Sequence, residues 1–151
     1  MKTWLLFVLC TVLCWGAYVP VLHHGQQSFG KDAAFRAFLF VGVSYFLLAG
    51  VILVWLFTGG DEPPEFNRQG ITFSLAAGVL GAFGALGIIF ALKNGGRPPT
   101  VIPLVFAGAP IVGTCVGLLW HRPVNAPSTW FYLGIGLAAG GAALVLANKP
   151  T

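Results

Sequence analysis

Apolar residues run in five long stretches along this chain, at 4–22, 34–57, 71–92, 101–120 and 128–147, and polar residues collect between them. A helix needs about 20 residues to cross a hydrocarbon core, and each stretch meets that length. The connecting segments 23–33, 58–70, 93–100 and 121–127 are rich in Gly, Pro, Asn or charge, which is what helix ends and turns require. The pattern predicts an all-α integral membrane protein, a bundle of five transmembrane helices in a single membrane domain covering residues 1–151. No internal repeat or low-complexity tract breaks it.

The third stretch sets Gly78, Gly81, Gly84 and Gly87 three residues apart. At the helical period, Ala77, Gly81, Gly84 and Ala85 share one side, while Val79, Phe83, Leu86 and Phe90 cluster opposite. Interior glycines cost about 1 kcal/mol each relative to alanine, a poor choice for a helix in water. In lipid the helix forms regardless, because unpaired backbone groups find no water there. The small side is expected to admit a close neighbour and the bulky side to meet lipid. Gly113 and Gly117 in the fourth stretch, and Gly136 and Gly140 in the fifth, repeat the GxxxG spacing. It is weak evidence of packing in a chain with 21 glycines.

The first stretch places Thr11, Trp15 and Tyr18 on one side, at i, i+4 and i+7, with Leu6, Leu9 and Leu13 opposite. Trp and Tyr often anchor a helix at the membrane interface. Tyr18 suits that role, whereas Trp15 lies deeper and suits a cavity wall. A Lys2-led apolar run also resembles a secretory signal, but it is too long and lacks a small-x-small cleavage site, so it is expected to be retained. His23 and His24 follow as a surface pair in the first loop, with a pH or metal role as the alternative. Arg36 at the entry to the second helix either snorkels to headgroups or greets an anion. Ser44 and Tyr45 are the polar side chains farther along, suited to hydrogen bonds between helices.

The fourth stretch carries Pro103 and Pro110. Proline has no N–H, so Pro110 leaves the carbonyl of Phe106 without its helical partner and bends the helix. Such a group persists at membrane depth where protein, a hydroxyl or water satisfies it. Pro103, Pro110, Thr114 and Gly117 share a face, and that face is expected to look inward. Thr11, Trp15, Tyr18, Tyr45, Pro110 and Thr114 are therefore the candidate substrate-binding residues.

Composition narrows the function. The chain is 57% hydrophobic and 8% charged over 151 residues, against about 25% charged in soluble domains. Its mean hydropathy is +0.86. The net charge of +4 comes from basic residues scattered at segment ends, not from the clustered face that nucleic acid requires. Cys10, Cys14 and Cys115 lie inside apolar stretches and give neither a disulfide framework nor a metal site. Asp32, Asp61, Glu62 and Glu65 all fall in linkers, so coupling through a buried carboxylate is disfavoured. The turn Lys93-Asn94-Gly95-Gly96-Arg97-Pro98-Pro99 lacks the ending of a phosphate-binding loop and reads as helix termination. No nucleophile–base pair or cofactor motif stands out, so neither an enzyme nor a cofactor is expected.

Trp15-Gly16, Phe46-Leu47-Leu48-Ala49, Gly81-Ala82-Phe83-Gly84, Ala91-Leu92, Pro110 and the run from Gly134-Ile135-Gly136 to Gly140-Gly141 follow one another in a familiar order. Together they resemble one EamA-like repeat of the drug/metabolite transporter superfamily, over nearly the whole chain. The resemblance implies a five-helix half-transporter that moves a small molecule by alternating access. It also implies a homodimer or pairing with a related half, in lipid, in a membrane such as the cytoplasmic membrane of a prokaryote. Most members carry two repeats, and here there is one. His121-Arg122-Pro123 stands where an acidic residue often follows the fourth helix. A non-transporting membrane subunit is the competing expectation. A proton-coupled small multidrug exporter is disfavoured, because the glutamate of its first helix is missing.

Overall fold

The computed structural model describes residues 3–59, 66–120, 123 and 126–148. The chain forms five helices, α1 (Thr3–Ser28), α2 (Ala33–Thr58), α3 (Arg68–Lys93), α4 (Pro98–Trp120) and α5 (Thr129–Ala147), with no strand among the described residues. All five are long and apolar enough to cross a membrane. The acidic stretch 60–65, together with Lys2, His121, Arg122 and Lys149, lies outside the described residues.

Helix ends depart from the apolar stretches where local chemistry overrides them. α1 continues six residues past Leu22, so His23 and His24 are helical rather than in a loop, half-buried and exposed respectively. Hydrophobicity marks how much of a helix suits lipid, whereas the backbone ladder runs on until something stops it. α3 starts at Arg68 because the side chain of Asn67 accepts a hydrogen bond from the N–H of Gly70 at 2.6 Å. α4 starts at Pro98, since proline in a first turn forgoes only an N–H that would be unpaired anyway. Ser128 caps α5 by accepting from the N–H of Phe131 at 3.4 Å. At the far end of α3 the Asn94 amide donates to the Phe90 carbonyl at 2.8 Å. Gly95 then takes φ +93°, a left-handed conformation that favours glycine.

Contacts divide the chain into two compact units, Ala17–Asn94 and Met1–Gly16 with Gly95–Thr151. In the first, α2 packs along α3. Its core is Leu22, Ala34, Ala37 and Ile89, ringed by Tyr18, Phe29, Phe38, Val41, Ile88 and Phe90. These residues gather where α1 ends, α2 begins and α3 ends. Ala34 and Ala37, at i and i+3 on α2, are the small side chains that let Leu22 and Ile89 come close. Among apolar helices such contacts hold by van der Waals packing. In the second unit α4 packs along α5, and the half-buried stripe of α4 is Ala107, Ile111, Thr114 and Leu118.

The glycine stripe occupies a different place from these cores. On α3 the inward line is Ala85, Ile89 and Leu92, while Gly78, Gly81 and Gly84 are exposed. Among the described residues, a Cβ added at Gly78, Gly81, Gly84, Gly113, Gly117, Gly136 or Gly140 would meet nothing within 4 Å.

Candidate functional site

The six candidate binding residues fall into two groups, one in each unit. Thr11, Trp15, Pro110 and Thr114 belong to the unit holding α4, and Tyr18 and Tyr45 to the unit holding α2 and α3. In the first group the Trp15 ring meets Phe106 edge-on, with centroids 6.0 Å apart and planes at 62°. Phe106 is the residue whose carbonyl Pro110 leaves unpaired. Of the face that the spacing predicted to look inward, Pro103, Thr114 and Gly117 are half-buried and Pro110 is exposed. Thr11 is exposed, and its hydroxyl donates to the Phe7 carbonyl at 2.9 Å. That bond within its own helix occupies its one proton.

In the second group Tyr18 lies on α1 and Tyr45 on α2. Tyr18 is half-buried, with its hydroxyl oxygen sealed from solvent, whereas Tyr45 is exposed. Ser44 donates to the Phe40 carbonyl of its own helix at 2.9 Å, not to another helix. A shallow concavity of about 370 Å³ lies on α2, lined by Phe38, Leu39, Gly42, Val43 and Phe46, where Gly42 leaves a notch between two phenyl rings. Its walls are apolar.

Two polar residues beyond the candidates enter the same unit. Gln26 is 7% exposed, and its Nε2 donates to the Ile89 carbonyl at 3.3 Å, tying α1 to α3. Its Oε1 and the Nδ1 of His23 are buried without hydrogen-bond partners among the described residues. Periodicity offered one signal for Gln26: it continues the line Tyr18, Leu22 at i+4 steps. The expectation that α1 ends at 22 concealed it. At the rim, the Lys93 ammonium lies 5.6 Å from the centre of the Phe90 ring and 5.9 Å from that of Phe35. Those two rings meet edge-on with centroids 5.7 Å apart.

No ion-binding group of three or more His, Cys, Asp or Glu side chains gathers among the described residues. Thr11, Trp15 and Thr114 are the candidate groups of one unit, and Tyr18, His23, Gln26 and Tyr45 those of the other. No family model, curated protein or solved structure matches the chain.

Proposed function

We propose that this chain is an integral membrane protein that acts as a half-size permease. It moves a small metabolite by alternating access, without chemistry on the solute, and works as an antiparallel pair with its own copy or a related half. The observation that carries this reading is the exposure of apolar side chains along all five helices. Phe46, Leu80, Leu119 and Trp130 are 77%, 73%, 79% and 79% exposed, and surface of that kind calls for lipid or another protein. Two prolines inside α4 and the contact of its Phe106 with Trp15 support a solute route along that helix. EamA-like organisation and residence in a prokaryotic cytoplasmic membrane belong to the same proposal, on the strength of the motif order alone.

The second reading is a membrane subunit that does not transport, serving as partner to another chain. The exposed glycine side of α3 favours it, because a side chain added at Gly78, Gly81 or Gly84 meets nothing within 4 Å among the described residues. Uptake by purified protein in liposomes, over a panel of sugars, amino acids and amphipathic amines, separates the two. Saturable uptake supports the permease. Stable insertion without uptake of any solute overturns it.

A further inference from the structure

We infer that the C-terminal half of α1 is the polar lining of a solute route, closed in this structure, and that it takes a small, uncharged solute rich in hydrogen-bonding groups. The inference rests on the permease reading and names the substrate class of its site.

Five hydroxyls of the fold bond within their own helices. The hydroxyls of Thr11, Ser28, Ser44, Thr58 and Thr72 each donate to the carbonyl four residues earlier in their own helix. α1 behaves otherwise between residues 18 and 26. The Tyr18 hydroxyl oxygen, the His23 Nδ1 and the Gln26 Oε1 are all sealed from solvent and unpaired among the described residues. Tyr18, Leu22 and Gln26 follow at i, i+4 and i+8, and His23 lies three residues before Gln26, so all four share an arc of the helix. At 1.5 Å per residue the run is about 12 Å long.

Sealing an unpaired polar atom is unfavourable, and a face meant only for packing would carry leucine at each of these positions. The three residues therefore fit a second arrangement, in which this face of α1 parts from α2 and α3 and meets water or a solute. The hydrogen bond that ties α1 to α3 is suited to release. It is long, at 3.3 Å, and its acceptor, the Ile89 carbonyl, lies inside α3 where the helical ladder already supplies an N–H. Once free, the Gln26 amide offers both a donor and an acceptor.

The chemistry of the face selects the solute. An amide, a phenol and an imidazole present donors and acceptors without a fixed charge. The charged groups of this unit at the same end, Lys31, Asp32, Arg36 and Lys93, are all exposed at the rim. A polyol or neutral amide suits such a face, and a permanently charged solute does not.

The test uses the full chain in liposomes, with Cys10, Cys14 and Cys115 replaced by alanine. His23→Cys keeps Gln26 in place and reports whether the face opens to a charged, water-soluble methanethiosulfonate reagent. It should label faster than Ile89→Cys in the core, and Tyr18→Cys provides a second reporter if either variant folds poorly. Adding Gln26→Leu should slow labelling about tenfold, because the closed packing then no longer holds a sealed amide. Faster labelling with Gln26→Leu would mark an ordinary structural hydrogen bond and overturn the inference. So would reporters as inert as the core. Xylitol flux, measured by liposome swelling, should fall with Gln26→Leu and should exceed that of glutamate or lysine. Xylitol flux unchanged by Gln26→Leu overturns the inference and leaves the permease standing. Labelling without flux of any solute keeps the opening face and removes the permease.

Discussion

Trp15 on α1 and Phe106 on α4 meet edge to face, with ring centroids 6.0 Å apart. The pair fastens the first half of α1 to α4 one turn before Pro110. Edge-on aromatic pairs contribute about 0.5–1.5 kcal/mol beyond the area they bury. A double-mutant cycle with Trp15→Leu and Phe106→Leu, read by denaturation in detergent, should return a coupling of about that size. Additive losses would mean that the rings share no interaction.

Thr114 lies half-buried one turn beyond Pro110, on the helix whose Phe106 carbonyl the proline frees. A polar cavity there would supply water to that carbonyl. In a chain freed of native cysteines, Thr114→Cys should react with a small aqueous thiol reagent from at least one side of the membrane. Full protection in a protein that still moves solute would show that this face is dry.

Gly84 and Phe83 provide a test of what covers α3. Both are exposed, and a side chain added at Gly84 has open space in this chain. Gly84→Leu should therefore leave the stability of a detergent-isolated monomer unchanged. In a dimer packed through the glycine side it should cost about 1–3 kcal/mol, the range for overpacking. Cross-linking yield and thermal stability, each measured across dilution, distinguish the two. A loss in the dilute monomer would place a close contact within the chain.

These outcomes separate what the sequence could reveal from what it could not. The five helices were legible because an apolar stretch near the required length has few alternatives in lipid. Their ends were less so. Asn67, Pro98 and the polar tail of α1 act through caps and backbone ladders, which hydropathy does not register. Facing was the least legible. On α3 glycine marked the side open to a neighbour, while Ala34 and Ala37 on α2 made the close approach actually used. A helix that is apolar all round gives no polar face by which to tell inside from outside. Trp15 and Tyr18 share one side of α1 in sequence, yet they belong to different units of the fold, a division that no local pattern records.

Lys93 lies over Phe90 and Phe35 at the rim of the α2–α3 contact. Cation–π pairs at exposed positions contribute about 0.5–1 kcal/mol. Lys93→Met should lower thermal stability by an amount of that order, and Lys93→Arg should largely retain it. Equal effects of the two would assign the contact to the aliphatic stem alone.

The antiparallel pair is the proposal with the widest consequence. Under this proposal the five helices each cross the membrane and put the two ends of the chain on opposite sides of it. A second five-helix unit joined in sequence then enters upside down, and transporter sites commonly lie between units so related. A separate copy has to reach that arrangement by inserting both ways. Orientation follows the asymmetry of Lys and Arg between the two sides. With the N-terminus inside, Lys2, Arg68 and Arg122 face the cytoplasm; reversed, Lys31, Arg36, Lys93, Arg97 and Lys149 do. Three against five is a small bias, and a chain so nearly balanced is easily tipped. A reporter fused to the C-terminus should accordingly read both sides in one population. Two lysines added to alternate loops should drive it to a single side, and uptake should fall as one orientation disappears. A single orientation that the added lysines never alter, with full uptake by that uniformly inserted chain, would show that a parallel or lone chain suffices.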